Sequence, residues 1–338
     1  MTLGRRAAPF GPVAGMGGGS ENQEGEENAV NHEREKTWQA AGNCLSLRMI
    51  MRIPFFLFVF AAALQAQTAE LETYIEVRSG TLPIILTVPH GGSLKPDNVL
   101  ARRYGVTGTD ANTVPLAEMI IEELEKRHGG KPHAIISRLH RIKLDPNREL
   151  EEAAQGDPTA IAAWHRFHDS AQKACDTVMK KSGMGLLLDI HGHRHLDQRV
   201  ELGYLVKGDI LKHSDAELNA DAALIAATSI RDLDKRSPQS FAELVRGPQS
   251  LGGLLEHRGF RCLPSPSKAN PAFMAGYFSG VYDVAAHGSR SGGSVSAIQI
   301  ECPWNNVRDV PENQRRFARA LADSLGVYFE VHFGRKLK

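Results

Sequence analysis

Short apolar runs alternating with longer amphipathic stretches restrict this chain, from about residue 70 onward, to a layered α/β architecture. Runs that read as buried strands cover residues 83–88, 133–137, 185–190, 202–206 and 295–300. Between them, residues 113–127 set Val114, Leu116, Ile120, Ile121 and Leu124 on one helical face, and 158–181 and 312–329 repeat that pattern. Strands alternating with helices predict a single α/β domain with a central mixed, largely parallel β-sheet flanked by helices. Ligands of such sheets bind beyond the carboxyl ends of the strands. Segment 207–294 has weaker periodicity and many Gly, Pro and Ser, and reads as loops and short helices over one sheet edge.

The charge balance removes some partners. Lys and Arg number 40 against 39 acids, a formal net charge of +1. That offers no electrostatic route to nucleic acid or to an anionic membrane. Residues 1–50 are rich in Gly, Glu, Asn and Arg and show no apolar period, so they read as an extension outside the fold. Residues 51–69 pair a basic start, Met51-Arg52, with an apolar run at 53–64 and a small residue at Ala66, the pattern of a secretory signal. The run is shorter than the roughly twenty residues that a membrane span needs. A signal set this far into the chain points to Met49 or Met51 as the true start, with residues 70–338 as the mature domain, exported to the periplasm or beyond. After the signal, Cys175, Cys262 and Cys302 remain; Cys262–Cys302 is the candidate disulfide.

Three strand ends carry residues suited to hydrolytic metal chemistry. Val88-Pro89-His90-Gly91-Gly92 puts a His at a strand-to-loop turn whose glycines imply a close backbone approach. In Leu188-Asp189-Ile190-His191-Gly192-His193, alternation sets Asp189 and His191 on one face, where Asp189 can orient His191. His193 and His195 read as loop residues near that site. In Gln299-Ile300-Glu301-Cys302, a Glu ending so apolar a strand is desolvated and its pKa rises toward the range of a general base. Asp110 opens the helix at 113, where a carboxylate either caps or serves as a ligand. Asp145-Pro146-Asn147-Arg148 offers an Arg for bidentate capture of a carboxylate, with Asn147 beside it.

Taken in order, these segments resemble the N-formylglutamate amidohydrolase family, itself similar to the zinc carboxypeptidases. The match runs from about Leu82 to Trp304 and includes Asn270-Pro271 and Gly276-Tyr277. Two departures are Pro146, where Leu is usual, and Ala275 before Gly276. The resemblance implies a zinc-carboxypeptidase-like (phosphorylase/hydrolase-like) fold and one Zn2+ held by His90, Asp110 and His191. Ser93 stands where the carboxypeptidases place their acidic ligand, which brings Asp110 forward, with Asp97 in reserve. It further implies Glu301 as the base, Asn147 and Arg148 as the grip on a substrate carboxylate, and Arg138 as a second anion contact.

The activity so implied is zinc-dependent hydrolysis of the amide of an N-acyl amino acid, a small-molecule substrate. An export signal sits badly with intracellular histidine breakdown, so formylglutamate itself gives way to another N-acyl amino acid. Two rival functions use the same sequence: an exported metallopeptidase acting on cell-wall or γ-linked peptides, and a secreted binding module without turnover.

Overall fold

The computed structural model describes residues 68–272 and 275–338. The extension at 1–50 and all but the last two residues of the signal segment lie outside the described residues. Seven strands form one sheet: β1 (Ile75–Arg78), β2 (Ile84–Val88), β3 (His133–Ser137), β4 (Gly185–Gly192), β5 (Val200–Gly203), β6 (Cys262–Leu263) and β7 (Val295–Cys302). Their order is β1-β3-β2-β4-β7-β5-β6. β3, β2, β4 and β7 run parallel, whereas β1 and β5 pair antiparallel with β3 and β7.

Helices cover both faces, as continuous apolar strands require. Ile84, Leu86 and Val88 pack with α1 (Thr113–His128), and Ile85 of the same strand packs on the opposite face with α2 (Pro158–Ser182). α2 starts where Asp157 accepts the Ala160 N–H ahead of a Pro, and stops at left-handed Gly183. α3 (Tyr282–His287) precedes β7, and α4 (Pro311–His332) lies against α1 through Phe317, Leu321 and Leu325. Residues 215–256 hold short helices only, as the weak periodicity there implied.

The expected strands and helices are present, β5 is shifted, and β1 and the two-residue β6 are additional. β1 was not foreseen because Ile-Glu-Val-Arg is short and half polar, as an edge strand is. β5 begins at Val200 rather than 202 because Glu201 is buried inside it, which no hydropathy pattern predicts. The proposed disulfide is corrected. Cys262 and Cys302 are free and buried. They sit on β6 and β7 with β5 between them. Two strand spacings separate them by about 9–10 Å, beyond the ~7 Å Cα limit for a bridge. Among the described residues no helix is long and apolar enough to cross a membrane.

Candidate metal centre

Because β2, β4 and β7 are parallel, the loops after them meet at one end of the sheet. Register then builds polar rows on the face beneath α2. Thr87 neighbours Asp189, which neighbours Gln299. One step nearer the loops, His191 neighbours Glu301, and Glu301 neighbours Glu201. His90 lies just past β2, at the turn marked by two glycines. A Cβ on Gly92 would sit 2.3 Å from the Arg138 backbone, so the chain passes there only as glycine.

Three donor atoms converge. Nδ1 of His90 and Nδ1 of His191 are 3.1 Å apart. Asp110 Oδ2 lies 3.2 Å from the His191 nitrogen and 3.4 Å from that of His90. A tetrahedral site with bonds of 2.0–2.1 Å has edges of about 3.3 Å, so this spacing fits three ligands of one small ion. His90, Asp110 and His191 thus form a group able to hold a metal. The sequence left Asp110 as cap or ligand; its carboxylate does not cap. Asn112 takes the N-cap position of α1, and Asp110 Oδ2 instead accepts the Gly192 N–H at 3.1 Å.

Both rings are held from behind. His90 Nε2 lies 2.6 Å from Asp145 Oδ1, and His191 Nε2 lies 2.7 Å from Asp189 Oδ2. A carboxylate acceptor keeps the proton on Nε2 and turns the Nδ1 lone pair toward the common point. Asp189 is itself fixed by the Thr87 hydroxyl at 2.8 Å, and Asp145 by Arg141 Nε at 2.8 Å. Asn147 Nδ2 is 3.1 Å from His191 Nε2, but the closer, charged Asp189 holds that nitrogen's proton.

The field of these carboxylates is strong because the site is buried. Burial alone would lower the pKa of His191, yet Asp189 and then Asp110 raise it well above its ordinary value. Burial would raise Asp110, but its contacts with the His191 and His90 rings hold it far below the usual carboxylate range. A pocket that attracts a proton this strongly attracts any small cation. Glu301 behaves in the opposite sense: burial pushes it up to about 8, against a pull from His191. Gln299 Nε2 donates to its Oε1 at 2.9 Å.

The remaining sequence candidates divide. Asn147 touches His191 and accepts the Asp283 N–H at 2.8 Å. Arg148, beside it, reaches Asn147 O at 2.7 Å and Glu152 at 3.3 Å. Arg138 is engaged by Glu76 and Glu118 across the β1 edge, and Asp97 is exposed. His193, His195 and Glu201 also cluster, but their donors are spent. His193 binds Arg199 O at 2.7 Å and accepts the His195 N–H at 3.1 Å. Glu201 holds His195 Nδ1 at 2.9 Å and Arg199 Nη2 at 3.1 Å, so a guanidinium stands where a second cation would.

Two side chains that support the candidate site had no assigned role in the sequence. Asp145 lay in plain view within the Asp-Pro-Asn-Arg segment. Arg308 carried no signal at all. It is buried, and donates through Nε to Cys302 O at 3.0 Å, through Nη2 to His193 O at 3.0 Å and through Nη1 to Ala111 O. Those carbonyls lie one or two residues after Glu301, His191 and Asp110 in the chain, so one guanidinium ties together the three loops of the site.

No protein-family profile matches the chain, and no curated protein matches it. Among solved structures it is similar to N-formylglutamate amidohydrolase from Ralstonia eutropha, at 13% identity and TM-score 0.46, over 78% of this chain and 99% of that one. A gene product of Agrobacterium tumefaciens follows at 13% identity and TM-score 0.42, over 75% and 93% of the two chains. A candidate metallopeptidase from Shewanella denitrificans gives 14% and 0.34, over 80% and 90%. The first of these carries the family name that the motifs resemble. At this level of similarity, what the site does must be argued from its residues.

Proposed function

We propose that this chain is a metal-dependent amidohydrolase that cleaves the amide of an N-acyl amino acid, with His90, Asp110 and His191 as ligands and Glu301 as the base. The observation that carries this reading is the convergence of three ligand atoms one strand away from a buried carboxylate of raised pKa. Two imidazoles and one carboxylate suit Zn2+ with a position left open. A zinc ion held by these residues would supply Lewis acidity for activating water and polarising the amide carbonyl. Glu301, its Oε1 engaged by Gln299, takes the water proton on Oε2 and passes it to the departing nitrogen. Arg148 and Asn147 are the grip on the carboxylate of the amine half; Arg138, already shared by two acids, is the weaker choice.

The apolar segment at 53–64 behind Arg52 favours export. Outside the cell the amides at hand are peptides, so a metallopeptidase using the same residues is the second reading. The binding-module reading would be favoured by loss of a ligand or of the base, and all four residues are present. The test is Glu301→Gln: metal content stays near one zinc per chain while turnover on N-acyl amino acids falls by about 10²–10⁴-fold. Wild-type turnover in that variant would overturn the mechanism.

A further inference from the structure

The loops that carry the ligands also enclose a cavity for which the proposed chemistry has no use. It measures about 410 Å³ and is lined by Ala111, Arg194, Gln198, Trp304 and Asn305. Ala111 follows the ligand Asp110, Arg194 lies shortly after His191, and Trp304 shortly after Glu301. The cavity is therefore walled by the segments that carry the ligands and the base.

Trp304 is 40% exposed, and the Arg308 guanidinium lies 5.5 Å from its ring centroid. Arg308 is itself tied to the Ala111, His193 and Cys302 carbonyls. The indole is thus in contact with the same group that holds the ligand loops. A rigid indole lining an open cavity is a platform for a flat apolar group. Arg194, Gln198 and Asn305 give the cavity polar wall positions, and no acid lines it.

We propose that this cavity receives the acyl-side group of the substrate, and that this group is aromatic, stacked on Trp304. The assignment rests on the amidohydrolase reading and adds the substrate class to it. A formyl group, about the size of a water molecule at roughly 30 Å³, would leave the cavity nearly empty. The carboxylate grip at 147–148 comes from the loop after β3, whereas the cavity is walled by the loops after β2, β4 and β7. The two halves of an amide then have separate places, the amine half at Arg148 and the acyl half at Trp304.

The experiment compares kcat/KM of the zinc-loaded full chain on N-phenylacetyl and N-formyl derivatives of one amino acid, in wild type, Trp304→Ala and Trp304→Phe. Wild type should prefer the phenylacetyl compound. Trp304→Ala should lower the ratio of the two kcat/KM values about tenfold, mostly through KM, and Trp304→Phe should restore most of it. An unchanged ratio, or no recovery with Phe, overturns the assignment. Calorimetry with phenylacetate against acetate reads the cavity without turnover. Phenylacetate should bind more tightly, and Trp304→Ala should weaken it about tenfold. Trp304-dependent phenylacetate binding with no amide turned over would sink the amidohydrolase reading and keep the cavity. Amide turnover with phenylacetate bound no better than acetate would sink the cavity and keep the enzyme.

Discussion

Replacing Arg308 by Met removes the guanidinium that joins the three site loops while keeping an apolar stem in its place. Three charge-assisted bonds are lost, to the carbonyls of Ala111, His193 and Cys302. Each contributes about 1.5–3 kcal/mol net. Burying the guanidinium costs part of that sum, so the unfolding free energy is expected to fall by about 3–5 kcal/mol. The three carbonyls sit one or two residues beyond Glu301, His191 and Asp110, and their release loosens the ligand triangle. Loss of a group that orients ligands weakens metal binding by about 10–100-fold. Zinc affinity by chelator competition reads the second effect, and urea unfolding in the presence of chelator reads the first without metal linkage. Arg308→Lys keeps the charge but not the planar three-point donor, and should fall between Met and wild type. Gly192→Ala attacks the same contact from the other side, since a Cβ there would lie 2.2 Å from Arg308 Cζ. Zinc affinity within twofold of wild type in all three variants would refute the clamp.

Asp145→Asn removes the charge 2.6 Å from His90 Nε2 and should weaken zinc about tenfold or more; unchanged affinity would mean that His90 needs no such partner. A separate expectation concerns pH. Burial, the largest cause, depresses His168 to about 3 and His287 to about 4. The two are hydrogen-bonded at 2.9 Å and lie on α2 and α3. The unfolded chain takes up protons below about pH 6.5 while the folded chain does not, so stability rises with pH between these values. Lowering the pH from 7.5 to 5.5 should cost about 1.3 kcal/mol for each His. Urea midpoints at the two pH values measure it, and His168→Gln should remove part of the slope. Because raised Glu301 and His191 contribute with the opposite sign, the comparison is between the two slopes: equal slopes in wild type and His168→Gln would show that His168 is not held neutral in the native state.

Much of this architecture is readable from local pattern. Continuous apolar runs could be only buried strands, and the amphipathic stretches at 113–127, 158–181 and 312–329 could be only covering helices. Strand alternation placed Asp189 and His191 on one face, and parallel strands brought His90, His191 and Glu301 to one end. Two strands were hidden or shifted because their residues are half polar: edge strand β1 is Ile-Glu-Val-Arg, and interior strand β5 buries Glu201, made tolerable by Arg199 and His195 from outside the strand.

The chain's own letters therefore determined the layers, the end of the sheet that carries the candidate site, and two of its three candidate ligands. Tertiary structure alone decided the rest. Asp110 does not cap its helix, because the loop folds its carboxylate toward Gly192 and the two imidazoles, where it could serve as a ligand. Cys262 and Cys302 stay apart because β5 runs between their strands. Arg308, distant in sequence from Asp110 and His191, controls the site through backbone carbonyls. Carbonyls are common to every residue, so no side-chain pattern in the sequence could have marked the loops that Arg308 joins.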